Sequence, residues 1–506
     1  MVRLTILAGD QTLTVEAETG TLLSDALLHS GHRPDMPCGG KGRCGKCRVR
    51  ASGGLSPLSS AEREAFTPAE QAAGVRLACC TRILGDAQVT VDGDGAVSQI
   101  CTQGEARELP VLDPLFTVLG AAVDIGTTTL AAQLYDRSGL LATAAASNPQ
   151  RAFGADVISR IGRSMDGDGP GLAACVRQAI ADMLRDLCRQ AGRETGGIDA
   201  LVLTGNTAML HLLCGLDASP LAAAPFEAKE LFGRFIPAAE LELPCAPEAQ
   251  VYLPRCMSAF VGADITTALL ASGICGGGET RMLADIGTNG EIALWHGGRL
   301  SCCSTAAGPA FEGANLSQGM QGAPGAIDHA WVQDGALEIH TIGGVQPAGI
   351  CGSGVADVLA GLLALGRLDE TGLLDDGEEA WTLAPGVAFT QGDVRQVQLA
   401  KSAVRSGIET LMARAGLTAE DLAELAIAGG FGSYLSLDSA AAIGLIPPTL
   451  KPRCRVLGNA ALAGASMLLR SRPLLEESAA LAKSAVTADL ATDPIFMEQY
   501  VEQMMF

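Results

Sequence analysis

The residues with the clearest chemical meaning are the cysteines near the start of this 506-residue chain. Cys38, Cys44 and Cys47 follow one another with Cys-x5-Cys-x2-Cys spacing on a glycine-rich stretch, and Cys79 and Cys80 come later. Three thiolates on one loop and a fourth from a distant segment are the ligand set of a [2Fe–2S] cluster, although the first gap is one residue longer than in the plant-type pattern. We therefore predict an electron carrier with the ligands Cys38, Cys44, Cys47 and Cys79.

The same cysteines have a competing interpretation as a zinc site, because a Cys-x2-Cys pair also binds zinc. A zinc knuckle usually supplies two such pairs, whereas the second half of this site is Cys79 with the adjacent Cys80. Glycines between the ligands let the backbone approach inorganic sulfides and point amides at them, which favours the cluster. The sequence leaves open whether Cys79 or Cys80 is the fourth ligand.

The segments around the cysteines predict a compact domain over residues 1–95. The predicted elements are, in chain order, strands at 3–8 and 13–17, a helix at 22–30, a strand at 48–51, a helix at 60–66 capped by Ser59 or Ser60, and a strand at 88–92. A small mixed sheet crossed by one helix is the β-grasp layout. With the cysteine loop after the first helix, this order of elements resembles the [2Fe–2S] ferredoxins.

Two later segments repeat one another and carry residues suited to phosphate and metal. Each is an apolar strand that ends in aspartate and runs into a Gly-Thr turn: Asp124, Gly126, Thr127 and Thr128 in the first, Asp285, Gly287, Thr288 and Asn289 in the second. The aspartate can hold Mg²⁺ through water, and the turn offers amides and a hydroxyl to phosphate oxygens. Two copies in equivalent contexts imply a duplicated fold with a cleft between its halves.

Two further segments complete this pattern. The strand at 425–428 runs into Gly429-Gly430-Phe431-Gly432, where the missing side chains leave room for a nucleoside, and the strand at 202–205 ends at Asn206. Together the four segments, in this order, resemble the acetate and sugar kinase/Hsp70/actin superfamily of ATPases. The resemblance implies catalytic roles for Asp124 and Asp285, Mg²⁺ as a cofactor, and an ATP site formed by Gly126, Thr127, Thr128, Asn206, Gly287, Thr288, Asn289, Gly429, Gly430 and Gly432.

The pattern along the chain predicts an α/β multidomain protein. A β-grasp ferredoxin domain (1–95) and a linker (96–118) containing Pro110 and Pro114 precede a duplicated RNase H-like ATPase domain (119–470). We expect two lobes, at about 119–275 and 276–470, and a C-terminal tail (471–506) that docks on the ATPase domain.

Other polar residues allow more than one interpretation. Asp264 suits a magnesium or water-positioning role equally with a helix cap, whereas His211 is better explained as a core histidine. The glycine-rich loops at 308–313 and 349–355 fit either nucleotide or partner contact or close backbone packing. The thiols near glycine-rich turns are predicted to be structural: Cys302, Cys303 and Cys351.

Composition excludes several classes of function. The formal net charge of −21 argues against nucleic acid, which selects basic faces. No segment approaches the roughly 18 uninterrupted apolar residues that a membrane span requires, and the N-terminus shows no export signal. Sixteen cysteines without a disulfide framework indicate reduced thiols and metal ligands. We therefore expect a cytoplasmic protein of an anaerobic metabolism.

An electron-carrying domain joined to an ATPase of this type is similar to the reductive activators of corrinoid proteins. That resemblance implies ATP-dependent reduction of a Co(II) corrinoid to Co(I), a corrinoid protein of a methyltransferase system as partner, and a low-potential electron donor; a homodimer is left open. An activator of another reductase or dehydratase is the first alternative, although those relatives place a cluster between subunits. A redox-sensing ATP-binding module and a sugar or acetate kinase are the others, and no acceptor pocket marks a kinase.

Overall fold

The computed structural model describes residues 1–8, 11–30, 32, 34, 36, 40, 42, 45–91, 100–430 and 434–506. The predicted site residues Cys38, Cys44 and Gly432 lie outside the described residues. The chain forms two compact units, Met1–Val97 with Asn148–Val176, and Ser98–Ser147 with Arg177–Phe506. The segment 148–176, predicted within the ATPase domain, thus groups with the N-terminal unit.

The N-terminal residues form the expected mixed sheet. The strands are β1 (Val2–Ala8), β2 (Gln11–Ala17), β3 (Arg48–Leu55), β4 (Val75–Leu77) and β5 (Ile83–Val91), and the helices are α1 (Leu23–His29), α2 (Ser60–Ala65) and α3 (Pro68–Ala72). The strand order is β2-β1-β5-β3-β4, with β1 parallel to β5 and the other pairs antiparallel. The β-grasp prediction is confirmed, and only α3 and β4, too short for a periodic pattern, were not anticipated.

A buried ion pair anchors the segment that follows β4. Glu62 is fully buried in α2 and accepts hydrogen bonds from Arg76 Nε at 2.8 Å, Leu77 N at 3.1 Å and Thr81 Oγ1 at 3.0 Å. Its carboxylate also accepts from the amide of Ser59, the residue that caps α2. Burial opposes ionisation of Glu62, but these hydrogen bonds outweigh it and lower its pKa to about 2. The segment held in this way carries the candidate fourth cluster ligand.

We expect the substitution Glu62→Gln to destabilise this unit by about 3 kcal/mol, because it leaves the Arg76 guanidinium buried without a counter-charge. The carboxylate's contribution is present above pH 4.5 and is lost as the pH falls towards 2, so the difference from wild type should shrink in acid. The difference between wild type and Glu62→Gln is measured by hydrogen exchange of the backbone amides of residues 76–81 at pH 7 and pH 4.

Glu70→Gln is the matched control, since Glu70 makes the same capping box with Thr67 at the start of α3 but is partly exposed, and its ion pair with Arg48 lies at the surface. Its effect on exchange in 76–81 should be much smaller. Equal protection in both variants would show that the Glu62–Arg76 pair does not hold the segment.

The second unit and the helices leading into it contain the remaining elements. The strands are β6 (Leu119–Ile125), β7 (Thr129–Asp136), β8 (Gly139–Ser147), β9 (Ile198–Gly205), β10 (Arg234–Pro237), β11 (Gln250–Leu253), β12 (Arg281–Ile286), β13 (Gly290–His296), β14 (Arg299–Thr305), β15 (Ala326–Gln333), β16 (Ala336–Thr341), β17 (Gly349–Ile350), β18 (Ala380–Ala384), β19 (Val387–Thr390), β20 (Glu424–Ala428), β21 (Cys454–Gly458) and β22 (Val486–Thr487). The helices are α4 (Val157–Arg163), α5 (Gly169–Ala191), α6 (Thr207–Cys214), α7 (Ala263–Ser272), α8 (Gly352–Ala364), α9 (Gln391–Ala415), α10 (Leu437–Ala442), α11 (Ala460–Arg470), α12 (Pro473–Ser484) and α13 (Pro494–Glu502).

Two six-stranded sheets share one pairing pattern. Their orders are β10-β11-β9-β6-β7-β8 and β21-β20-β12-β13-β14-β22. In each sheet, an antiparallel meander of three strands (β6–β8 or β12–β14) pairs through its first strand with a parallel strand, β9 or β20. The predicted duplication is therefore present, and the two Asp-x-Gly-Thr turns occupy equivalent positions at the ends of β6 and β12.

The helices between the sheets do not follow the predicted lobe boundary at 275/276. Helix α7 packs between the sheets, through Ile265 and Leu269 on the second and through Leu270 and Ala271 on the first, whereas α11 packs mainly on the first, against β6, β7 and β9. The two helices touch at Gly464, where a Cβ would lie 1.9 Å from the carbonyl oxygen of Thr267. The first sheet is thus covered in part by a helix from the second half of the sequence.

The described part of the predicted linker, residues 100–118, is bound to the second unit. Gly104 pairs with Gly458, the Arg107 amide donates to the carbonyl of Ala271 at 2.8 Å, and Phe116 is buried. This part of the predicted linker is therefore packed into the second unit. The segment lacks periodicity because its hydrogen bonds are made singly to the edges of other elements.

The C-terminal residues contact the second unit at two places. Strand β22 pairs in parallel with β14, and α13 lies against α9. Near the end of the chain, Gln398 Nε2 donates to the carbonyl of Met504 at 2.9 Å, and Lys401 Nζ lies 4.8 Å from the centre of the Phe506 ring. These contacts are of the kind expected for the tail 471–506. In the described part of the chain, no helix combines the length with the apolar character that crossing a bilayer requires.

Candidate cluster and nucleotide sites

The described cysteines of the N-terminal unit lie close together. The sulfur of Cys47, at the start of β3, is 3.3 Å from that of Cys79, and Cys80 Sγ is 3.7 Å from Cys79 Sγ. Two thiolates on one tetrahedral metal atom, with bonds of about 2.3 Å, stand about 3.8 Å apart. The Cys79–Cys80 distance is close to this value and the Cys47–Cys79 distance is shorter, so the three described thiols lie near enough to one another to bind a common metal centre. Hydrogen bonding to Cys47 and burial raise the pKa of the Cys79 thiol, so two thiolates there need a bound cation.

The backbone around these thiols is shaped by glycine. Gly42 and Gly45 have positive φ angles of +69° and +64°, and a Cβ at Gly42 would lie 2.8 Å from Cys80 Sγ. A side chain at Gly42 would therefore occupy the space beside the thiols. The residues present fit a [2Fe–2S] cluster, and Cys47 and Cys79 are the described members of the predicted ligand set.

A cleft in the second unit contains the predicted nucleotide residues. The described members of the predicted set all line it: Asp124, Gly126, Thr127, Thr128, Asn206, Asp285, Gly287, Thr288, Asn289, Gly429 and Gly430. Within it, Asn206, the N-cap of α6, donates through Nδ2 to Thr127 Oγ1 at 3.2 Å. The topology thus brings together four turns that are far apart in sequence.

Four of the acidic side chains that line this cleft have raised pKa values. Burial, with the charges of neighbouring carboxylates, raises the pKa of Asp264 to about 8 and that of Asp285 to about 7. Burial raises the pKa of Asp124 to about 6, although a hydrogen bond from Asn459 lowers it. Burial also raises the pKa of Glu291 well above its ordinary range. These carboxylates are stable together in their ionised forms only when a cation is bound, and carboxylate oxygens are ligands that suit Mg²⁺.

The arrangement favours a cation held jointly by protein and phosphate. Across the described residues, no three His, Cys, Asp or Glu side chains converge closely enough to enclose a metal ion. Mg²⁺ usually keeps several waters and binds one or two carboxylates together with substrate phosphates. The acidic residues and the phosphate turns that line the cleft suit that mode of binding.

The structure places several residues that the motifs did not assign. Asp264 lies in the first turn of α7, whose N-cap is Gly262, so the helix-cap interpretation is wrong. Asn459 donates through Nδ2 to Asp124 Oδ2 at 2.9 Å. Glu291 follows the second Gly-Thr turn and is buried. Only Glu291 had a local signal, as an acidic residue inside an apolar strand.

The remaining sequence predictions have clear outcomes. His211 is buried, and its Nδ1 lies 2.7 Å from the carbonyl oxygen of Thr207, as a core histidine should. Both glycine-rich loops reach the cleft, the first through Glu312 and the second through Cys351 and Ser353. Cys351 was predicted to be only structural, but it lies at the N-cap of α8 and lines the cleft.

Substitutions in the turn after β20 test whether a nucleoside binds there. Gly429 has φ +98°, and a Cβ there would lie 2.5 Å from the Ile286 carbonyl oxygen and 2.9 Å from Asp285 Oδ1, whereas a Cβ at Gly430 meets no protein atom within 4 Å. We expect Gly429→Ala to lower both the melting temperature and the affinity for ATP, the latter by tenfold or more.

Gly430→Ala is the neighbouring control for that substitution. It should leave the melting temperature unchanged and weaken ATP binding if the nucleoside lies on this turn. Calorimetric titration with ATP and thermal unfolding of both variants measure the two effects. Wild-type ATP affinity in both variants would remove the turn from the nucleotide site.

Comparison with known protein families shows which class of protein carries both sites. Family models match three segments: "2Fe-2S iron-sulfur cluster binding domain" over residues 7–84, "RACo middle region" over 119–276, and "C-terminal domain of RACo the ASKHA domain" over 279–506. The fold and its sites thus define an iron–sulfur protein joined to an ATPase of the actin and sugar kinase type.

Individual relatives are more specific. The chain is 35% identical over 426 residues to "Corrinoid activation enzyme RamQ" of Eubacterium limosum, covering 77% of this chain and 70% of that one. It is 27% identical over 424 residues to "[Co(II) methylated amine-specific corrinoid protein] reductase" of Methanosarcina barkeri, with coverages of 76% and 77%. A solved structure, "Reductive activator for corrinoid,iron-sulfur protein", matches with a TM-score of 0.73 at 28% identity over 99% of this chain and 98% of that one. The chain belongs to the family of reductive activators of corrinoid proteins.

Proposed function

We propose that this chain is an ATP-dependent reductive activator that returns the Co(II) corrinoid of a methyl-transfer protein to Co(I) with one electron from its own [2Fe–2S] cluster. The observation that carries the proposal is the presence, in one chain, of a group of adjacent thiols in the N-terminal unit and a cleft formed by two equivalent phosphate turns. The relatives named for corrinoid activation support the choice of substrate.

The N-terminal unit supplies the electron. Cys47 and Cys79 are proposed as ligands together with Cys38 and Cys44, and the Glu62–Arg76 pair holds the segment that carries Cys79. When bound, a [2Fe–2S] cluster of plant type supplies single electrons at about −400 mV. Co(I) is a stronger reductant than such a centre, so the transfer is uphill and needs coupling to another reaction. A low-potential donor is proposed to restore the electron.

The second unit supplies the coupling. Asp124 and Asp285 are proposed to hold Mg²⁺ on the nucleotide, and the Gly-Thr turns to hold its phosphates through amides and the hydroxyls of Thr127, Thr128 and Thr288. A nucleotide that contacts turns from both sheets stabilises one arrangement of the sheets over another. If the two arrangements of the sheets bind the Co(II) and Co(I) states of the partner with different affinities, ATP shifts the balance between these states. The size of the shift is limited by that difference in affinity.

One reaction tests the proposal. Cluster-loaded protein, a Co(II) corrinoid protein and a low-potential reductant are mixed with or without ATP, and Co(I) is followed by its absorbance. We expect Co(I) to accumulate only with ATP. Absence of ATP-dependent Co(I) would reject the function. Reduction of another low-potential acceptor enzyme in the same assay would favour the alternative activator.

A further inference from the structure

The side chain of Glu312 joins the two phosphate turns. Thr288 Oγ1 donates to Glu312 Oε1 at 2.8 Å, and Thr128 Oγ1 donates to the other carboxylate oxygen, Oε2. The two hydroxyls lie 3.4 Å from each other. Each oxygen of Glu312 is therefore held by a hydroxyl from a different turn, and its carboxylate lies at the place where the two turns meet.

The backbone fixes this carboxylate in the cleft. The Gly308 amide donates to the carbonyl of Thr288 at 2.9 Å, which ties the start of the loop to the second phosphate turn. A single 3-10 turn, Pro309–Glu312, ends at Gly313, where φ is +73° and a Cβ would lie 2.2 Å from the Met320 carbonyl oxygen. Phe311 is buried beside the acid. Glu312 is consequently held by packed structure rather than by an open loop.

We propose that Glu312 is the general base of ATP hydrolysis, an inference that rests on the proposed nucleotide site. Its carboxylate accepts a proton from a water molecule as the water oxygen bonds to the γ-phosphorus. The bond from that phosphorus to the bridging oxygen of ADP breaks, ADP leaves with the electron pair, and the proton then passes to the released phosphate or to solvent. The step consumes ATP and water alone.

The neighbouring acids are less suited to this task. Asp124 and Asp285 are proposed to serve the cation, and Asp264 and Glu291 lie in the same crowded group, where burial and mutual repulsion favour the neutral form. Glu312 lines the cleft from the loop after β14 and contacts two threonine hydroxyls. A phosphate oxygen is the other acceptor that those hydroxyls would serve, so a bound γ-phosphate lies next to this carboxylate.

The test separates hydrolysis from binding. In Glu312→Gln, the amide still accepts a hydrogen bond through oxygen but cannot take a proton. We expect kcat for ATP hydrolysis to fall on the order of 10²- to 10³-fold, a size typical of a lost general base, while the Kd for ATP stays within a few-fold of wild type. Glu338→Gln, on the exposed face of β16, is the control and should change neither quantity.

Each outcome distinguishes the inference from the proposed function. Wild-type kcat in Glu312→Gln would overturn the role of Glu312 and leave the activator function standing. Loss of ATP binding together with kcat would show that the side chain only ties the turns, which also overturns it. A wild-type chain that does not bind ATP would remove the proposed function itself.

Discussion

Replacing Asp285 by alanine is expected to lower ATP-dependent Co(I) formation by a factor on the order of 10² or more, with the visible spectrum of the cluster unchanged. Asp285 ends β12 beside the second phosphate turn, and the alanine removes one of the two carboxylates proposed to hold the cation. Burial and the charge of Asp124 raise the pKa of Asp285 to about 7. Removing this acid from a crowded group should therefore leave the melting temperature of the nucleotide-free chain undiminished.

Asp182→Ala provides the comparison for this variant. Asp182 is exposed on α5, where it pairs with Arg185, and it should have no effect on either quantity. Co(I) absorbance, the cluster spectrum and thermal unfolding are measured on the three proteins. An Asp285→Ala protein with wild-type ATP-dependent activity would show that β12 does not end at the nucleotide site.

The second large effect concerns the fourth cluster ligand. We expect Cys79→Ser to lose most of the bound iron or to change the cluster spectrum strongly, because Cys79 is the buried thiol 3.3 Å from Cys47. Cys80→Ser should retain two irons per chain, since Cys80 is partly exposed whereas Cys47 and Cys79 are buried. Iron content, visible absorbance and electron paramagnetic resonance of the reduced proteins measure both variants.

The two variants act as each other's control, because the residues are adjacent and the same atoms are exchanged. The opposite result, a cluster retained in Cys79→Ser and lost in Cys80→Ser, would assign the ligand to Cys80. ATP binding should be unchanged in both proteins, and a loss of it would indicate general misfolding.

Local patterns were sufficient for the parts of the fold that repeat or alternate. The Asp-x-Gly-Thr turns recur in sequence because β6 and β12 occupy equivalent places in two sheets of the same pairing pattern. The hairpin β1–β2 and the helix α2 with its Ser59 cap follow from alternation and a capping box. These features need only neighbouring residues, which is why the nucleotide turns could be named before the cleft was seen.

Residues brought together over long distances could not be found in that way. Glu312 reaches Thr128 across 184 positions, and Asn459 reaches Asp124 across 335. Neither glutamate nor asparagine carries a local signal for such a contact. The packing of α11 on the first sheet likewise depends on tertiary contacts, at a glycine that the sequence does not distinguish from others. The bound segment 100–118 was missed because isolated hydrogen bonds leave no periodic pattern.

The central claim is that the electron given to cobalt comes from this chain's own cluster and that ATP drives its transfer. The protein is reduced, freed of excess reductant and mixed with a Co(II) corrinoid protein, and Mg²⁺ and ATP are then added. Co(I) absorbance and the signal of the reduced cluster are followed together. The account predicts that ATP starts the formation of Co(I), at most one per cluster, with loss of the cluster signal in step. Co(I) formed equally without ATP, or a cluster signal that stays constant while Co(I) appears, would contradict it.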